Sequence, residues 1–308
     1  RGNDRQGNEK NLVRGRVIAG FINLLQLQYT MRISHATQDG GTAFEHNIPQ
    51  FGLGVFLMSK PGECKSSVLS ALNAGYTHID TARAYNNEHE VGEAIRDAGV
   101  DRESIFITTK LRRAHAVGYD ETIEHCKKSL ELLDMDYIDL YLVHAPPENS
   151  DHRAPVWQAM EYCLEQGWVK SIGVSNYGPA HLEAMKGYAR YMPSVNQVEF
   201  NPWLQRPELK QATEAVGAKV MAYSPLARGH KVNDPKLEKI ANELDCTPAQ
   251  VAIKFCYDEG CITIPKSSKP ERIIENIASL DVDISSHYDE IKALECNYIS
   301  GWDPTTDP

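Results

Sequence analysis

Eight short apolar runs rich in β-branched residues alternate with longer amphipathic stretches in this chain. The strand candidates are Phe51–Gly54, Thr77–Asp80, Ile105–Thr109, Ile138–His144, Ser171–Val174, Val195–Phe200, Lys219–Tyr223 and Cys261–Ile264. Between them, Glu88–Ala98 places Val91, Ala94, Ile95 and Ala98 on one helical face, and Thr122–Leu133 places Ile123, Cys126, Leu130 and Leu133 on another. Thr247 before Pro248 reads as an N-cap followed by proline at the first helical position. Eight strand–helix units predict a parallel eight-stranded (β/α)8 barrel, the TIM barrel, as one domain. A doubly wound open sheet is the alternative. No GxGxxG opens a βαβ unit, since Gly52-Leu53-Gly54 lacks the third glycine and follows no long strand.

The 308 residues suffice for one large core or two ordinary ones. A net charge of −10 argues against a broad basic face for nucleic acid. No apolar run reaches the ~18 residues of a membrane span. The seven cysteines are scattered and form no CxxC pair, so neither a zinc site nor a redox dithiol is expected. Reduced thiols in a cytoplasmic compartment are the simplest reading. Up to Arg32 the chain is basic: six Arg and Lys residues face only Asp4 and Glu9. Such a leader, with an apolar stretch from Val17 to Leu27, suits a transit peptide, an expression scar or sequence upstream of a start at Met31. Residues 1–42 are read as an extension, disordered or not native to the protein, and residues 43–308 as the barrel.

The segment Ile264-Pro265-Lys266-Ser267-Ser268-Lys269-Pro270-Glu271-Arg272 leaves a strand, turns, and enters a helix. Cations and hydroxyls thus gather at a helix N-terminus, where unpaired N–H groups and the macrodipole favour phosphate. Asp80, Lys110 and His144 stand at the ends of three strands, and Tyr85 lies in the loop after Asp80. In a barrel of this type the strand C-termini form the active-site face. A free tyrosine, with a pKa near ~10, is a poor acid at neutral pH. Lys110 is expected to lower it, with Asp80 as the counter-charge of the lysine.

Five segments in order carry a resemblance to the aldo-keto reductase family. They are Gly75-Tyr76-Thr77-His78-Ile79-Asp80-Thr81-Ala82 with Tyr85 and Asn87-Glu88, then Thr108-Thr109-Lys110-Leu111, Tyr137 to His144, Ser171-Ile172-Gly173-Val174-Ser175-Asn176, and the Ile-Pro-Lys-Ser segment with Arg272 and Glu275-Asn276. The resemblance runs from about Phe44 to about Tyr298, and implies a barrel with a short N-terminal hairpin. It implies an NADPH-dependent reductase of aldehydes and ketones, with Tyr85 as general acid, Lys110 and Asp80 as its tuning pair, and His144 as orienter. It further implies that Ser175, Asn176 and Gln197 hold the nicotinamide carboxamide and that Tyr223 stacks on the ring. Ser224 and Leu226 would line the diphosphate, Lys266, Ser267 and Arg272 would surround a 2′-phosphate, and Glu275 and Asn276 would hold the adenine.

The sequence departs from the family pattern at the substrate side. Ala145 stands where many members carry tryptophan after the histidine, and Arg112 replaces another tryptophan. Phe56 remains as a wall, and Arg112, Arg113 and His115 suggest a pocket suited to anionic or polyhydroxyl carbonyls. The expected partner is a small carbonyl compound, with no nucleic acid, membrane or metal, and the expected state a cytoplasmic monomer. Two rivals use the same barrel: a nicotinamide-binding redox sensor or regulatory subunit, and a structural, crystallin-like protein.

Overall fold

All eight apolar runs form strands, with ends shifted by at most two residues from the sequence reading. In the computed structural model, residues 30–111 and 118–306 are described. A hairpin of β1 (Thr30–Ala36) and β2 (Thr42–Pro49) comes first. Then follow β3 (Leu53–Gly54), β4 (His78–Asp80), β5 (Phe106–Lys110), β6 (Ile138–Val143), β7 (Val169–Ser175), β8 (Val195–Glu199), β9 (Lys219–Tyr223) and β10 (Ile262–Thr263). Each pairs in parallel with its chain neighbours. Parallel bridges Phe51↔Thr263 and Gly54↔Lys266 join the first barrel strand to the last and close the barrel.

Closure requires backbones to approach where the two short strands meet. The amide of Gly54 donates to the Pro265 carbonyl at 3.1 Å, and a Cβ on Gly54 would stand 3.1 Å from the Ile264 carbonyl oxygen. Gly52 makes room for His78, whose ring atoms would lie 2.7 Å from a Cβ at that position.

Inside the barrel, Phe106, Leu140, Leu142, Val195, Met221, Ile262 and Ile264 pack with Ile33 and Ile48 of the hairpin. Phe106, Val195 and Ile262 begin their strands, so the hairpin stoppers the N-terminal end of the barrel. Outside, helices pack on the strands; five of them start with proline, namely at Pro179, Pro207, Pro235, Pro248 and Pro270. The expected cap at Thr247 forms a reciprocal pair with Gln250, at 3.2 Å and 3.0 Å.

The hairpin corrects one boundary. The sequence reading places residues 30–42 with the leader, yet Thr30–Ala36 is a paired strand. Its inward positions, Ile33 and His35, are buried, and His35 bonds to the Met192 carbonyl at 2.8 Å. An arginine-rich neighbourhood and a histidine at an inward position hid an alternation that burial makes plain. The segment Val17–Leu27 lies outside the described residues.

Candidate active site

The C-terminal ends of adjacent strands β4, β5 and β6 bring Asp80, Lys110 and His144 together. Asp80 and Lys110 are the last residues of their strands, and His144 follows β6 directly. The chain leaves Asp80 into a short 3-10 turn, Arg83–Tyr85, which ends with left-handed Asn86 and brings Tyr85 back over the mouth.

Lys110 is wholly buried, and its ammonium donates to Asp80 Oδ1 at 2.7 Å and to the Thr81 carbonyl at 2.8 Å. The Tyr85 hydroxyl lies 3.4 Å from the same Nζ. Burial pushes the Lys110 ammonium down and the Asp80 carboxyl up, while their mutual attraction opposes both shifts. The Tyr85 phenol is held well above its ordinary range, first by burial and then by the Asp80 charge. This reverses the expectation that Lys110 would lower it. The ammonium is balanced by Asp80 at contact distance, so the partly buried Tyr85 meets an ion pair rather than a bare cation. The His144 ring meets Tyr85 edge-on, with centroids 5.7 Å apart, and the Phe56 ring packs against Tyr85 at 5.0 Å.

A second polar group lies at the ends of β7, β8 and β9. Asn176, in the left-handed region at φ 61°, donates to the His144 carbonyl at 3.1 Å and accepts from the Tyr223 hydroxyl at 2.9 Å. Ser175 Oγ donates to the Gln197 carbonyl at 2.8 Å. Gln197 was expected only as a carboxamide holder, yet its Nε2 donates to Asp80 Oδ2 at 2.7 Å and so joins the two groups. Only the tertiary fold exposes that link, as it does the bond from Lys110 to the Thr81 carbonyl.

The third group surrounds the N-terminus of the helix Pro270–Ala278. Lys266, Lys269 and Arg272 are exposed, and among the described residues none of them has a carboxylate within ion-pair distance. Ser267 is buried beside them, its hydroxyl accepting from the Lys269 amide at 3.2 Å. Three uncompensated cations at a helix N-terminus fit a phosphate. Asn276 is buried, whereas Glu275 accepts from the Thr247 hydroxyl at 2.6 Å and is braced against the neighbouring helix.

Of the substrate-side residues, Phe56 is 42% exposed and lines the mouth, and Ala145 is buried. Arg112, Arg113 and His115 lie outside the described residues. The loop Ala227-Arg228-Gly229-His230 and the tail after Tyr298 are short in the sequence, and the sequence reading gives Arg228 no place in the site; its guanidinium stands 6.0 Å over the Phe56 ring, with the tail beside it. The Ser300 amide donates to Glu199 Oε1 at 3.1 Å, and Asp303 pairs with Arg206 at 2.9 Å.

A family model described as Aldo/keto reductase family matches residues 58–295. An aldo-keto reductase of Mycolicibacterium smegmatis is 40% identical over 262 residues, covering 85% of this chain and 94% of that protein. A glyoxal reductase of Bacillus subtilis is 41% identical, covering 80% of this chain and 89% of that protein. The Bombyx mori aldo-keto reductase, solved in complex with NADP, superposes with a TM-score of 0.76 at 31% identity, covering 88% of this chain and 95% of that one. The chain belongs to the aldo/keto reductase family, and by that membership it is an oxidoreductase on a (β/α)8 barrel.

Proposed function

We propose that this chain reduces aldehydes and ketones with NADPH, using Tyr85 as the general acid. The observation that carries the reading is Lys110, a wholly buried ammonium held 2.7 Å from Asp80 and 3.4 Å from the Tyr85 hydroxyl at a barrel mouth. Bound NADPH would supply a hydride from nicotinamide C4. Tyr85 hands its phenolic proton to the carbonyl oxygen as that oxygen gains charge. The phenol is protonated at neutral pH, and because burial makes it more reluctant to ionise, release of its proton depends on the nearby Lys110 charge and on the charge growing on the substrate oxygen. When the proton leaves, Lys110 faces the phenolate, and Asp80 keeps that lysine charged in a dry interior. His144, edge-on to Tyr85, orients the same oxygen.

Ser175, Asn176 and Gln197 would hold the carboxamide, and Tyr223 the ring face. Ser224 and Leu226 would line the diphosphate, Lys266, Ser267 and Arg272 the 2′-phosphate, and Glu275 and Asn276 the adenine. The unpaired cations favour NADPH over NADH, since only the former brings a ribose phosphate to neutralise them. Phe56 and Ala145, with Arg112, would border the substrate. Within this reading the barrel acts as a monomer on small carbonyl compounds in the cytoplasm.

The test is NADPH oxidation by the purified chain against an aromatic aldehyde, an aldose, a 2-keto acid and a quinone, with Tyr85→Phe alongside. Turnover that disappears in the variant while NADPH still binds is the expected result. Tight NADPH retention without turnover on any carbonyl would overturn the reductase reading and favour a redox sensor.

A further inference from the structure

A second buried carboxylate stands behind the Asp80–Lys110 pair. Glu88 opens the helix Glu88–Ala98, and its side chain is 1% exposed. Its Oε1 accepts from Thr109 Oγ1 at 2.7 Å. Its Oε2 faces Arg83 Nε across 4.0 Å. Thr109 directly precedes Lys110 on β5, and alternation turns it to the helix side while Lys110 points inward. Arg83 begins the turn that ends in Tyr85. Glu88 is therefore tied to the strand of one member of the site and stands opposite the turn of another.

The surroundings hold Glu88 in place. Its helix lies against the helix Tyr119–Leu133 at backbone contact, since a Cβ on Gly92 would meet the Leu133 carbonyl oxygen at 2.1 Å. Burial pushes the Glu88 carboxyl up, and hydrogen bonding from Thr109 and Ser129, then the Arg83 and Lys110 charges, pull it back. A buried carboxylate is costly, and a hydrophobic residue would pack there at less cost. Its position between the Tyr85 turn and the Lys110 strand gives it a use that packing alone does not.

We infer that Glu88 is a positioning residue for the reaction, setting where the Tyr85 hydroxyl stands relative to Lys110 through Thr109 on one side and Arg83 on the other. The inference rests on the reductase reading above. A displacement of about 1 Å between reacting groups can cost about 100-fold in rate. Glu88 touches neither substrate nor cofactor, so its effect falls on kcat.

The experiment compares Glu88→Gln, which keeps an acceptor for Thr109 and removes the charge facing Arg83, with Thr109→Val, which breaks the bond at nearly constant volume. Steady-state reduction, its pH profile, NADPH affinity and thermal midpoint are measured on each. The protein is also labelled with [13Cζ]tyrosine, and the Tyr85 signal among its 14 tyrosines is identified by its loss in Tyr85→Phe. Glu88→Gln should lower kcat about tenfold or more, leave NADPH affinity within about twofold, and move the Tyr85 signal alone. Thr109→Val should act in the same direction.

Unchanged kcat, pH profile and Tyr85 signal in folded variants would overturn the proposal. So would losses of kcat that merely track thermal midpoint and cofactor affinity. If the wild-type chain turns over no carbonyl, the reductase reading fails by itself. The Tyr85 signal then decides the positioning role: a shift confined to Tyr85 supports it, and no shift overturns it.

Discussion

Gln197 reaches across the barrel interior to the carboxylate that holds Lys110: its Nε2 donates to Asp80 Oδ2 at 2.7 Å, while Lys110 takes Oδ1 at the same distance. Both oxygens of Asp80 are thus committed, from strands on opposite sides of the mouth. The carboxylate is fixed in rotation as well as in place, and the ammonium it carries is aimed at Tyr85.

Asp80→Asn should test how far the site depends on that charge. Removing one partner leaves a buried, uncompensated ammonium, at a cost of about 3–5 kcal/mol in stability. The double variant Asp80→Asn/Lys110→Met should regain most of that loss in urea unfolding while remaining inactive. A double variant no more stable than the single one would show that the penalty lies in packing.

Arg272→Ala should raise the KM for NADPH about 10-fold to 100-fold, the worth of a charge-assisted hydrogen bond, and leave that for NADH nearly unchanged. The wild-type KM for NADPH should also rise with salt, and less steeply in the variant. Equal effects on both cofactors would separate Arg272 from the 2′-phosphate.

Two buried histidines give the stability a pH dependence whose sign can be worked out. Burial lowers both His35 and His78 to about 4 from an ordinary value of 6.5. The unfolded chain therefore binds more protons between those values, so their contribution is complete above about pH 6.5 and is lost as pH falls toward 4. Each should cost about 2 kcal/mol by pH 5. Buried carboxyls such as Glu161 and Glu199, which burial pushes up, act in the opposite sense. The measurement is therefore differential: His35→Gln should flatten the fall in unfolding free energy between pH 7.5 and pH 5 relative to wild type. An unchanged slope would sink the assignment.

Gly178→Ala should dislodge the tail, because a Cβ there would stand 1.8 Å from the Thr305 carbonyl oxygen. Arg206, which binds Thr305 Oγ1 at 3.0 Å as well as Asp303, would lose its anchor. Limited proteolysis should cut the tail in the variant and spare the barrel. Protection equal to wild type would mean that the backbone of the tail shifts without letting go.

The strands and the residues Asp80, Lys110 and His144 were legible because both depend on local pattern: β-branched runs bounded by turns, with a polar residue at the end of each. The direction of the Tyr85 shift was not, because it depends on depth of burial and on the neutralisation of Lys110 by Asp80. Gln197 was noticed for its place on β8, but its bond to Asp80 spans 117 residues and has no local signature. The strand Thr30–Ala36 is hard to read because its inward positions are Ile33 and His35, and a histidine there does not look like core. Glu88 stands in the motif just after Tyr85, but Thr109 and Arg83 meet it only in the tertiary fold.

The hairpin stoppers one pole of the barrel, and the tail from Ser300 to Thr306 lies against the loops at the other. The described chain is therefore fastened at both poles, and the candidate site lies at only one of them. A fluorescent protein or surface tether joined ahead of Thr30 would hang from the closed floor, far from the doorway. The same cargo joined behind Thr306 would crowd the threshold that every incoming molecule must cross, so immobilised preparations of this protein should differ in turnover according to the end by which they are held.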